Sequence, residues 1–332
     1  MERYIDTLTL KKKKKIAILD TGINIDFHDF NKKDIEIIDL TKDKSIISID
    51  LDGHGTSCCG EIVKYYSNAS IIAIPILNEA RKCSLADLYN ALLYCYQKED
   101  IGIINMSVAC MIEDSETIAY FEKLVNQIWK SGRILIASNM NRGRGKRVYP
   151  YSFSNVIGVN HTMSDSNYIQ FDKLENNIMF YGSDCIMPGK IGEYAFFSGC
   201  SSYAAKLTGL IGYEISNSKM QKLSIEELLS NCNKRLKLID KKEKKQLQYV
   251  DESLENTISW LIDNVYNQGS ADYKKEDINE RLTRLNRLEC VKLLSLIEEK
   301  IKQRIDFKKF SVYDFDSINK LASKVNHCID SI

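Results

Sequence analysis

The chain has 332 residues, of which 44% are hydrophobic, and its formal net charge is +1 at pH 7. This length and composition predict a globular protein with a large domain and a smaller one, and they exclude a disordered chain. The balanced charge argues against nucleic acid as a partner, because binding to a polyanion requires clustered lysines and arginines without compensating acids. The basic run at 11–15 directly precedes a predicted strand, and we interpret it as the solvated start of that strand.

The sequence carries no signal for membrane insertion or secretion. No stretch approaches the roughly 18 to 20 apolar residues that cross a bilayer, and "MERYIDTLTLKKKKK" lacks the order of a signal peptide. The 10 cysteines are scattered, without the spacing of a disulfide framework or of a zinc site. We therefore expect a cytoplasmic protein whose cysteines are thiols, with no membrane contact, no bound metal and no cofactor.

Strand and helix patterns alternate along most of the chain. Continuous apolar runs predict buried strands at 15–20, 70–77, 101–109, 133–138 and 155–159. Helical patterns lie between several of these strands, at 54–66, 84–97 and 115–132. Strands that alternate with helices in this way are typical of a mainly parallel sheet in an α/β fold.

Toward the C-terminus the pattern becomes helical. Helices are predicted at 203–215 and 224–239. The lysine-rich stretch at 240–246 is the best candidate linker, and amphipathic helical sequence follows it. We therefore predict a first domain at residues 1–239 and a small all-α second domain at residues 247–332.

An aspartate, a histidine and a serine, three residue types that are able to cooperate in acyl transfer, stand in glycine-rich contexts. Asp20 ends the first predicted strand, in "LDTGI", where its side chain meets the carboxyl edge of a parallel sheet. His54 lies at a helix start in "DGHGTSCCG", and Ser201 lies in "SGCSSYAAKLTG". A serine hydroxyl is a weak nucleophile until a histidine takes its proton and a carboxylate orients that histidine. Taken singly, each of the three is more often a turn or loop residue.

The three motifs, in the order Asp, His, Ser, resemble those of the subtilisin-like serine proteases, the subtilase family, over roughly residues 14–235. The resemblance implies a three-layer α/β/α fold with a mainly parallel sheet and a serine endopeptidase with an Asp20-His54-Ser201 triad. His54 is then expected to take the Ser201 proton and return it to the leaving amine, while Asp20 fixes the imidazole tautomer. Ser202 is the competing nucleophile, and the family's motif, with the serine directly after Gly-x, selects Ser201.

The family also supplies a side-chain asparagine that donates to the developing oxyanion together with the N–H of the nucleophile. The segment "SGRILIASNMNRG" resembles the family's Ala-Ala-Gly-Asn segment. An ungapped alignment on Ser131 and Gly132 assigns this role to Asn141, with Asn139 as a close rival. Replacing each in turn by alanine separates the two candidates, because loss of the donor costs about 10²- to 10³-fold in kcat.

The segment "INMSVAC" resembles the family's strand that pairs with an extended substrate. The resemblance makes Ser107, Val108 and Ala109 candidate substrate-binding residues, which add backbone hydrogen bonds to a bound peptide. A buried core strand is the alternative interpretation of the same residues, and one strand is able to fill both roles.

The chain departs from the family around the nucleophile. Cys200 stands where the family has threonine, and Tyr203 stands where it has alanine, although a tyrosine is large for a helix start that packs on a sheet. Neither change removes a reacting group. Cys58, Cys59 and Cys200 lie close to the predicted triad in sequence, and we interpret them as packing residues, with blockage of the cleft by thiol modification as the alternative.

About the last 85 residues faintly resemble an acyl or peptidyl carrier domain. The attachment serine of such a domain is missing here, because "NRL" at 286–288 occupies its place, so no phosphopantetheine arm is expected. Carrier-related proteins and cytoplasmic subtilases both resemble parts of systems that mature ribosomally made peptides. By this analogy we expect a leader peptidase that cuts a precursor peptide, with the second domain recognising the precursor or a partner enzyme.

Two other functions remain open from the sequence. The residues Cys200, Tyr203 and Met140 suggest one alternative, a catalytically weak, subtilase-shaped protein that only binds a peptide. A general intracellular protease is the other alternative. The intact order of Asp20, His54 and Ser201 favours the enzyme.

Overall fold

The computed structural model describes residues 8–9, 15–40, 49–140, 147–172, 175, 177–218, 222–246, 252–265 and 277–329. The chain divides into two compact units. The first comprises Met1–Gly182, Pro188–Glu193 and Ser198–Leu236, and the second comprises Ser183–Met187, Tyr194–Phe197 and Lys237–Ile332.

An eight-stranded sheet forms the centre of the first unit within the described residues, with the strands in the order β3-β4-β2-β5-β6-β7-β9-β8. Every neighbouring pair is parallel except the last, because β8 runs antiparallel to β9 at the edge. The strands of this sheet are β2 (Lys15–Asp20), β3 (Asp34–Ile37), β4 (Ser70–Pro75), β5 (Ile101–Met106), β6 (Ile134–Ser138), β7 (Ile157–Met163), β8 (Tyr168–Asp172) and β9 (Asn177–Gly182).

Two short pairs complete the described strands. The two-residue strands β1 (Leu8–Thr9) and β12 (Lys222–Leu223) pair with each other, and β10 (Cys185–Pro188) pairs with β11 (Tyr194–Phe197). The helices are α1 (His54–Tyr65), α2 (Leu85–Gln97), α3 (Ser115–Lys130), α4 (Cys200–Asn217), α5 (Ile225–Gln246), α6 (Glu252–Val265), α7 (Ile278–Thr283), α8 (Arg287–Ile301) and α9 (Ile318–Cys328).

Helices cover both faces of the large sheet. Helices α1 and α4 pack on each other and on the central strands, whereas α2 and α3 pack on each other and on the same strands. Since side chains alternate between the faces of a strand, Leu19 and Met106 contribute to the core under α2 and α3. The neighbours Asp20 and Asn105 therefore face α1 and α4. This arrangement confirms the predicted mainly parallel α/β/α architecture.

Local sequence explains where the outer helices begin. Ser84 precedes α2, and its side chain accepts a hydrogen bond from the backbone N–H of Asp87. Asp114 precedes α3 and accepts from the N–H groups of Glu116 and Thr117. Such residues satisfy donors that have no partner inside the helix, so the short polar side chains fix the start of each helix.

Strand β5 is shorter than predicted, since it ends at Met106 and not at residue 109. Met106 pairs with Leu19 of β2 on one side and with Ala137 of β6 on the other. The sheet's ladder ends there, and residues 107–109 follow it at the carboxyl edge. An apolar run cannot by itself mark the point at which its neighbouring strands stop.

The predicted linker at 240–246 was wrong, because these residues form the last part of helix α5 (Ile225–Gln246). The stretch "DKKEKKQ" contains neither glycine nor proline, and lysine, glutamate and glutamine all favour helices. High charge indicated a solvated segment, but a solvated segment is also compatible with an exposed helix.

The second unit has its own hydrophobic core. Helices α6, α8 and α9 contribute Ile258, Leu294 and Leu321, and Phe310 packs between them from a loop. The small helical region predicted at the C-terminus is therefore present. Among the described helices, none combines the length and the apolar character that spanning a bilayer requires.

Candidate active site

Asp20 ends strand β2 in the middle of the large sheet, and its carboxylate is buried. The backbone N–H of Thr21 donates to Oδ1 at 2.8 Å, and the Thr21 hydroxyl donates to the same oxygen at 3.3 Å. The Cys58 thiol, 3.4 Å away, donates to Oδ2. Three donors thus hold the carboxylate at the carboxyl edge of the sheet, the edge at which parallel α/β folds bind ligands.

His54 is the first residue of α1, and its ring contacts Asp20 directly. The distance from His54 Nδ1 to Asp20 Oδ1 is 2.7 Å, and both side chains are buried. An imidazole that donates from Nδ1 to a carboxylate keeps Nε2 as a proton acceptor. The structure thus brings these two predicted residues into contact in a geometry suited to a general base, and their catalytic role stays a prediction.

Gly53, directly before His54, explains the close fit of the histidine loop. Its φ of +85° lies in the left-handed region, which residues with a Cβ rarely adopt. A Cβ at this position would also lie 2.9 Å from Gly189 Cα. Glycine is the residue that allows the chain to turn into α1 at this point.

Asp50 replaces the side-chain cap that Gly53 cannot provide for α1. Its carboxylate accepts from the Gly53 N–H at 2.7 Å and from the Thr56 N–H at 2.8 Å. The Thr56 hydroxyl, at 2.7 Å, donates to the same carboxylate. Burial raises the pKa of Asp50, and these hydrogen bonds offset part of that shift. The sequence analysis missed this residue, although an acid three to six positions before a helix start with glycine at its N-cap is a readable signal.

Ser201 and Ser202 have different surroundings at the start of α4. Ser202 is 0% exposed and its hydroxyl donates to Glu61 Oε1 at 3.1 Å, so it is committed to the protein interior. Ser201 is 8% exposed, and its backbone N–H lies in the first turn of α4, where N–H groups have no partner inside the helix. This difference favours Ser201 over Ser202 as the candidate nucleophile.

The start of α4 lies at the same sheet edge as Asp20. Cys200 Sγ is 3.4 Å from Nδ1 of His161, which lies in β7 beyond the residue that pairs with the end of β6. Helix α4 also packs on α1, the helix that begins with His54. The fold thus brings the N-terminal parts of two packed helices to the edge where Asp20 lies, and the joining of Ser201 to the other two residues stays a prediction.

Tyr203 fits at the helix start because its neighbours leave room. Its ring stacks on His161, with the centroids 4.8 Å apart, and its hydroxyl donates to the Gly182 carbonyl at 2.9 Å. A Cβ on Gly182 would lie 3.3 Å from the ring of Tyr203. The large side chain is therefore accommodated between α4 and the sheet by a hydrogen bond and a stacked ring.

The predicted oxyanion donor Asn141 lies outside the described residues. Its rival Asn139 is described, and its amide nitrogen donates to Asn160 Oδ1 at 2.7 Å. The Asn139 oxygen accepts from the Met140 N–H, also at 2.7 Å. Since the Asn139 side chain already has these partners within the protein, Asn141 stays the better candidate for the oxyanion role.

The candidate substrate-binding residues follow β5 directly. Ser107 Oγ lies 3.3 Å from Cys58 Sγ and accepts from Asn105 Nδ2 at 3.4 Å. Its side chain therefore lies beside Cys58, which also contacts Asp20. Val108 is buried in the core under α2 and α3, and Ala109 is partly exposed. The contribution of these backbones to peptide binding stays a prediction.

Cys58 contacts both Asp20 and the candidate substrate-binding residue Ser107. Burial, and then the nearby charge of Asp20, raise the pKa of the Cys58 thiol well above its ordinary value. The sulfur therefore keeps its proton at neutral pH and is a donor to Asp20. Within the described part of the chain, Asp20, His54 and Cys58 are also the one set of three side chains close enough to share a metal ion.

Known proteins match this chain over the unit that holds these residues. The profile of the subtilase family matches residues 11–251. The thermophilic serine proteinase of Bacillus sp. (strain AK1) is 27% identical over 210 residues, which cover 59% of this chain and 50% of that protein. Thermitase of Thermoactinomyces vulgaris is 26% identical over 224 residues, covering 62% of this chain and 76% of thermitase. The chain thus spans half of the first relative's length and about three quarters of the second's.

Solved structures share the fold at lower identity. A cold adapted subtilisin-like serine proteinase superposes with a TM-score of 0.51 at 18% identity and covers 66% of this chain and 80% of its own. The epidermin leader peptide processing serine protease EpiP of Staphylococcus aureus has a TM-score of 0.52 at 18% identity, with 63% and 66% covered. The prenylagaramide maturation protease PagA has a TM-score of 0.50 at 20% identity, with 61% and 75% covered.

Proposed function

Because the chain belongs to the subtilase family, we propose that it is a serine endopeptidase that hydrolyses peptide bonds with Asp20, His54 and Ser201. The buried contact of 2.7 Å between His54 Nδ1 and Asp20 Oδ1 carries this proposal. It orients an imidazole at the sheet edge where α4, the helix that carries Ser201 in its first turn, also begins. Few structural roles require a buried histidine in this arrangement.

In the proposed reaction, His54 Nε2 takes the Ser201 proton as the hydroxyl attacks the substrate carbonyl, and a tetrahedral oxyanion forms. The Ser201 N–H in the first turn of α4 donates to that oxyanion, and Asn141 is the proposed second donor. His54 then protonates the leaving amine, and water repeats the cycle on the acyl-enzyme. Asp20 keeps the imidazole in the correct tautomer throughout.

Hydrolysis of a quenched fluorescent peptide library tests the proposal. We expect Ser201→Ala to lower kcat by about 10⁴-fold or more, because the nucleophile is lost. Ser202→Ala is the matched control, since it removes the neighbouring hydroxyl but not the proposed nucleophile, and its kcat should fall by no more than about 10-fold. Loss of activity in Ser202→Ala with full activity in Ser201→Ala would contradict the assignment.

We further propose that the substrate is a ribosomally made precursor peptide from which the enzyme removes a leader. Two structural neighbours support this substrate class, since EpiP is described as a leader peptide processing protease and PagA as a maturation protease. The ten cysteines lack the spacing of a disulfide framework, which supports a reducing, cytoplasmic setting. Mass spectrometry of candidate precursors after incubation should show one cut at the leader boundary; unselective cutting would favour a general protease.

We propose that the second unit recognises the precursor or a partner enzyme. It has its own core and contains none of the proposed catalytic residues. Leu288, at the start of α8 where the carrier resemblance places the missing serine, is 77% exposed. Leu288→Glu should weaken selective cleavage of a precursor but not of a short peptide, whereas Leu85→Glu, at the exposed start of α2, should change neither. Equal selectivity in both variants would contradict the proposal.

A further inference from the structure

A buried ion pair joins the two helices that carry His54 and Ser201. Glu61 in α1 and Lys206 in α4 are both 0% exposed, and Lys206 Nζ lies 3.7 Å from Glu61 Oε1. The same glutamate oxygen accepts the hydrogen bond from Ser202 Oγ. The hydrolysis mechanism assigns no role to these charged groups, although they lie directly behind the proposed site.

Helical periodicity places this contact close to both reacting residues. Glu61 comes seven residues after His54, which is two turns, so both lie on one face of α1. Lys206 comes four residues after Ser202, one turn along the same face of α4. On α4, the residue that contacts Glu61 is Ser202, the direct neighbour of Ser201. On α1, Glu61 lies about 10 Å along the helix axis from His54.

The lysine is also tied to the sheet. Its Nζ lies 4.5 Å from the ring centroid of Tyr203, a cation–π distance. Tyr203 in turn donates to the Gly182 carbonyl at the end of β9. Further along, the two helices approach so closely that a Cβ on Gly209 would lie 2.7 Å from the Ile62 carbonyl oxygen. Glu61 and Lys206 are therefore the charged contact in a tightly packed helix pair.

Stability alone does not account for this pair. Burying two charges costs desolvation energy, and replacing both partners of such a pair by apolar residues is often neutral or stabilising. Glu61 Oε2 has no hydrogen-bond partner among the described residues, so the network is not fully satisfied. A buried polar contact of this kind has a better-attested use, since it fixes one register between packed helices where apolar contacts permit several.

We propose that Glu61 and Lys206, acting through Ser202, are positioning residues that hold the Ser201 hydroxyl at the right distance from the His54 imidazole. This inference rests on the proposed hydrolase function. Proton transfer between the two groups requires hydrogen-bond distance, and a misplacement of about 1 Å costs on the order of 10²-fold in rate. The hydrogen bond from Ser202 to Glu61 sets that distance because it joins the two helices concerned, and Lys206 helps to hold the glutamate in place.

The full-length double variant Glu61→Leu/Lys206→Met tests the proposal, since it removes both charges and nearly keeps the buried volume. We expect a folded protein whose kcat on a short peptide falls about 10- to 100-fold, with KM within about 2-fold of wild type. The second-order rate of labelling by a fluorophosphonate, which reacts with activated serines, should fall by the same factor. A purely structural pair changes the melting temperature and leaves both rates unchanged.

Two further variants resolve the contact itself. Glu61→Gln/Lys206→Met restores an acceptor for Ser202 without a buried charge, and it should return kcat to within about 3-fold of wild type. Ser202→Ala removes one hydrogen bond and no charge, so it folds even if the double variants do not. Its kcat should fall about 3- to 10-fold, a loss far smaller than that of Ser201→Ala.

Arg235→Met is the matched control. Arg235 also links a cation to α1, since its Nη2 donates to the Tyr65 carbonyl at 3.1 Å, and its guanidinium stacks on Tyr213. This contact lies at the far end of α1 from His54. The variant should lower the melting temperature and leave kcat and the labelling rate unchanged.

The outcomes separate this inference from the proposed function. Wild-type kcat and labelling rate in a folded Glu61→Leu/Lys206→Met variant, or in Ser202→Ala, would overturn the positioning role and leave the hydrolase intact. A wild-type protein that the fluorophosphonate does not label at all would overturn the hydrolase proposal itself. Reduced rates in the double variant with recovery in Glu61→Gln/Lys206→Met support the inference.

Discussion

At the scale of single residues, the Asp20 carboxylate defines the orientation of the whole site. Thr21 occupies one oxygen with two donors and Cys58 occupies the other, so the carboxylate has little freedom to rotate. The imidazole of His54 meets the oxygen that Thr21 holds. The tautomer of the histidine therefore depends on an oxygen that is already fixed by the loop after β2.

Replacing Asp20 by asparagine should keep the fold and remove the tautomer control. The amide then donates to the ring or loses its contact, and the proton moves to the wrong nitrogen. We expect kcat to fall by about four orders of magnitude, with the melting temperature nearly unchanged. Steady-state kinetics on a peptide substrate and calorimetry check this; a loss of less than about tenfold would contradict the assigned role.

Asp50 should make stability depend on pH in the acid range. Its pKa is raised in the folded protein by burial, so the folded state holds the proton more tightly than the unfolded state. The stability that it contributes is full below its ordinary pKa of 3.8 and declines as pH rises through the folded pKa. Denaturant titrations from pH 3 to pH 6 should show that the stability advantage of wild type over Asp50→Ser becomes smaller as the pH rises.

A rise in stability of wild type over Asp50→Ser across the same pH range would contradict the assignment. At neutral pH the variant should still be less stable by about 1 to 3 kcal/mol, because the Gly53 and Thr56 N–H groups lose their acceptor. Serine at position 50 is too short to reach both donors.

At the scale of elements, the loop that precedes α1 is as important as the helix itself. Gly53 adopts a left-handed conformation against the hairpin residue Gly189, and Asn24 Nδ2 donates to the Gly189 carbonyl at 3.0 Å. These contacts set where α1 begins and therefore where His54 stands. Displacement of the loop moves the base away from its partners.

Gly53→Ala should destabilise the first unit and impair the site together. The substitution adds left-handed strain of about 1 kcal/mol and a clash with the backbone of Gly189 and Lys190. We expect the melting temperature to fall by several degrees and kcat to fall with it. Gly192→Ala is the control, since nothing lies within 4 Å of its added Cβ, although its φ is also positive. Equal effects on kcat in both variants would contradict this account.

The last part of helix α5, at 240–246, provides a test of the stretch that was predicted to be a linker. Proline at position 242 removes a helical hydrogen bond and clashes with the preceding turn, at a cost of about 3 kcal/mol in a helix interior and less near an end. Lys242→Pro should therefore lower the free energy of unfolding, and Lys242→Ala should not. Identical unfolding curves for the two variants would show that this stretch is a linker after all.

The sequence predicted the central elements and missed the peripheral ones for physical reasons. Strand β2 was predicted to the residue, because a fully buried parallel strand is a continuous apolar run bounded by charge and a turn. Strands β3 and β8 have alternating or exposed patterns at the edges of the sheet and gave no such signal. The antiparallel direction of β8 depends on pairing with β9, which no local pattern encodes.

At the candidate site, the sequence predicted Asp20 and His54 but not Asp50 and Glu61, again because local patterns do not encode contacts between distant parts of the chain. The first two stand in short motifs whose residue types alone suggest their chemistry. Asp50 and Glu61 act through partners that are close only after folding, the N-terminus of α1 for one and α4 for the other. An acid among the apolar residues of a helix is readable from the sequence as unusual, but the residue that it contacts after folding is not.

In the whole molecule, the family match supports the proposed function of the first unit but leaves most of the second unit uncovered. The family match covers residues 11–251, and the helical core of the second unit lies mostly beyond it. The fold of the first unit and its proposed chemistry follow from sequence motifs. The second unit has a hydrophobic core of its own and contains none of the proposed catalytic residues, so its role is proposed from these features and from the exposed Leu288.

Mapping of a fluorophosphonate adduct by peptide mass spectrometry shows directly whether Ser201 is the activated nucleophile. The full-length protein is labelled at neutral pH, digested, and searched for the modified residue. We expect a single adduct on Ser201 that is absent in Ser201→Ala and strongly reduced in His54→Ala. An adduct on Ser202, or no adduct on a folded wild-type protein, would contradict it.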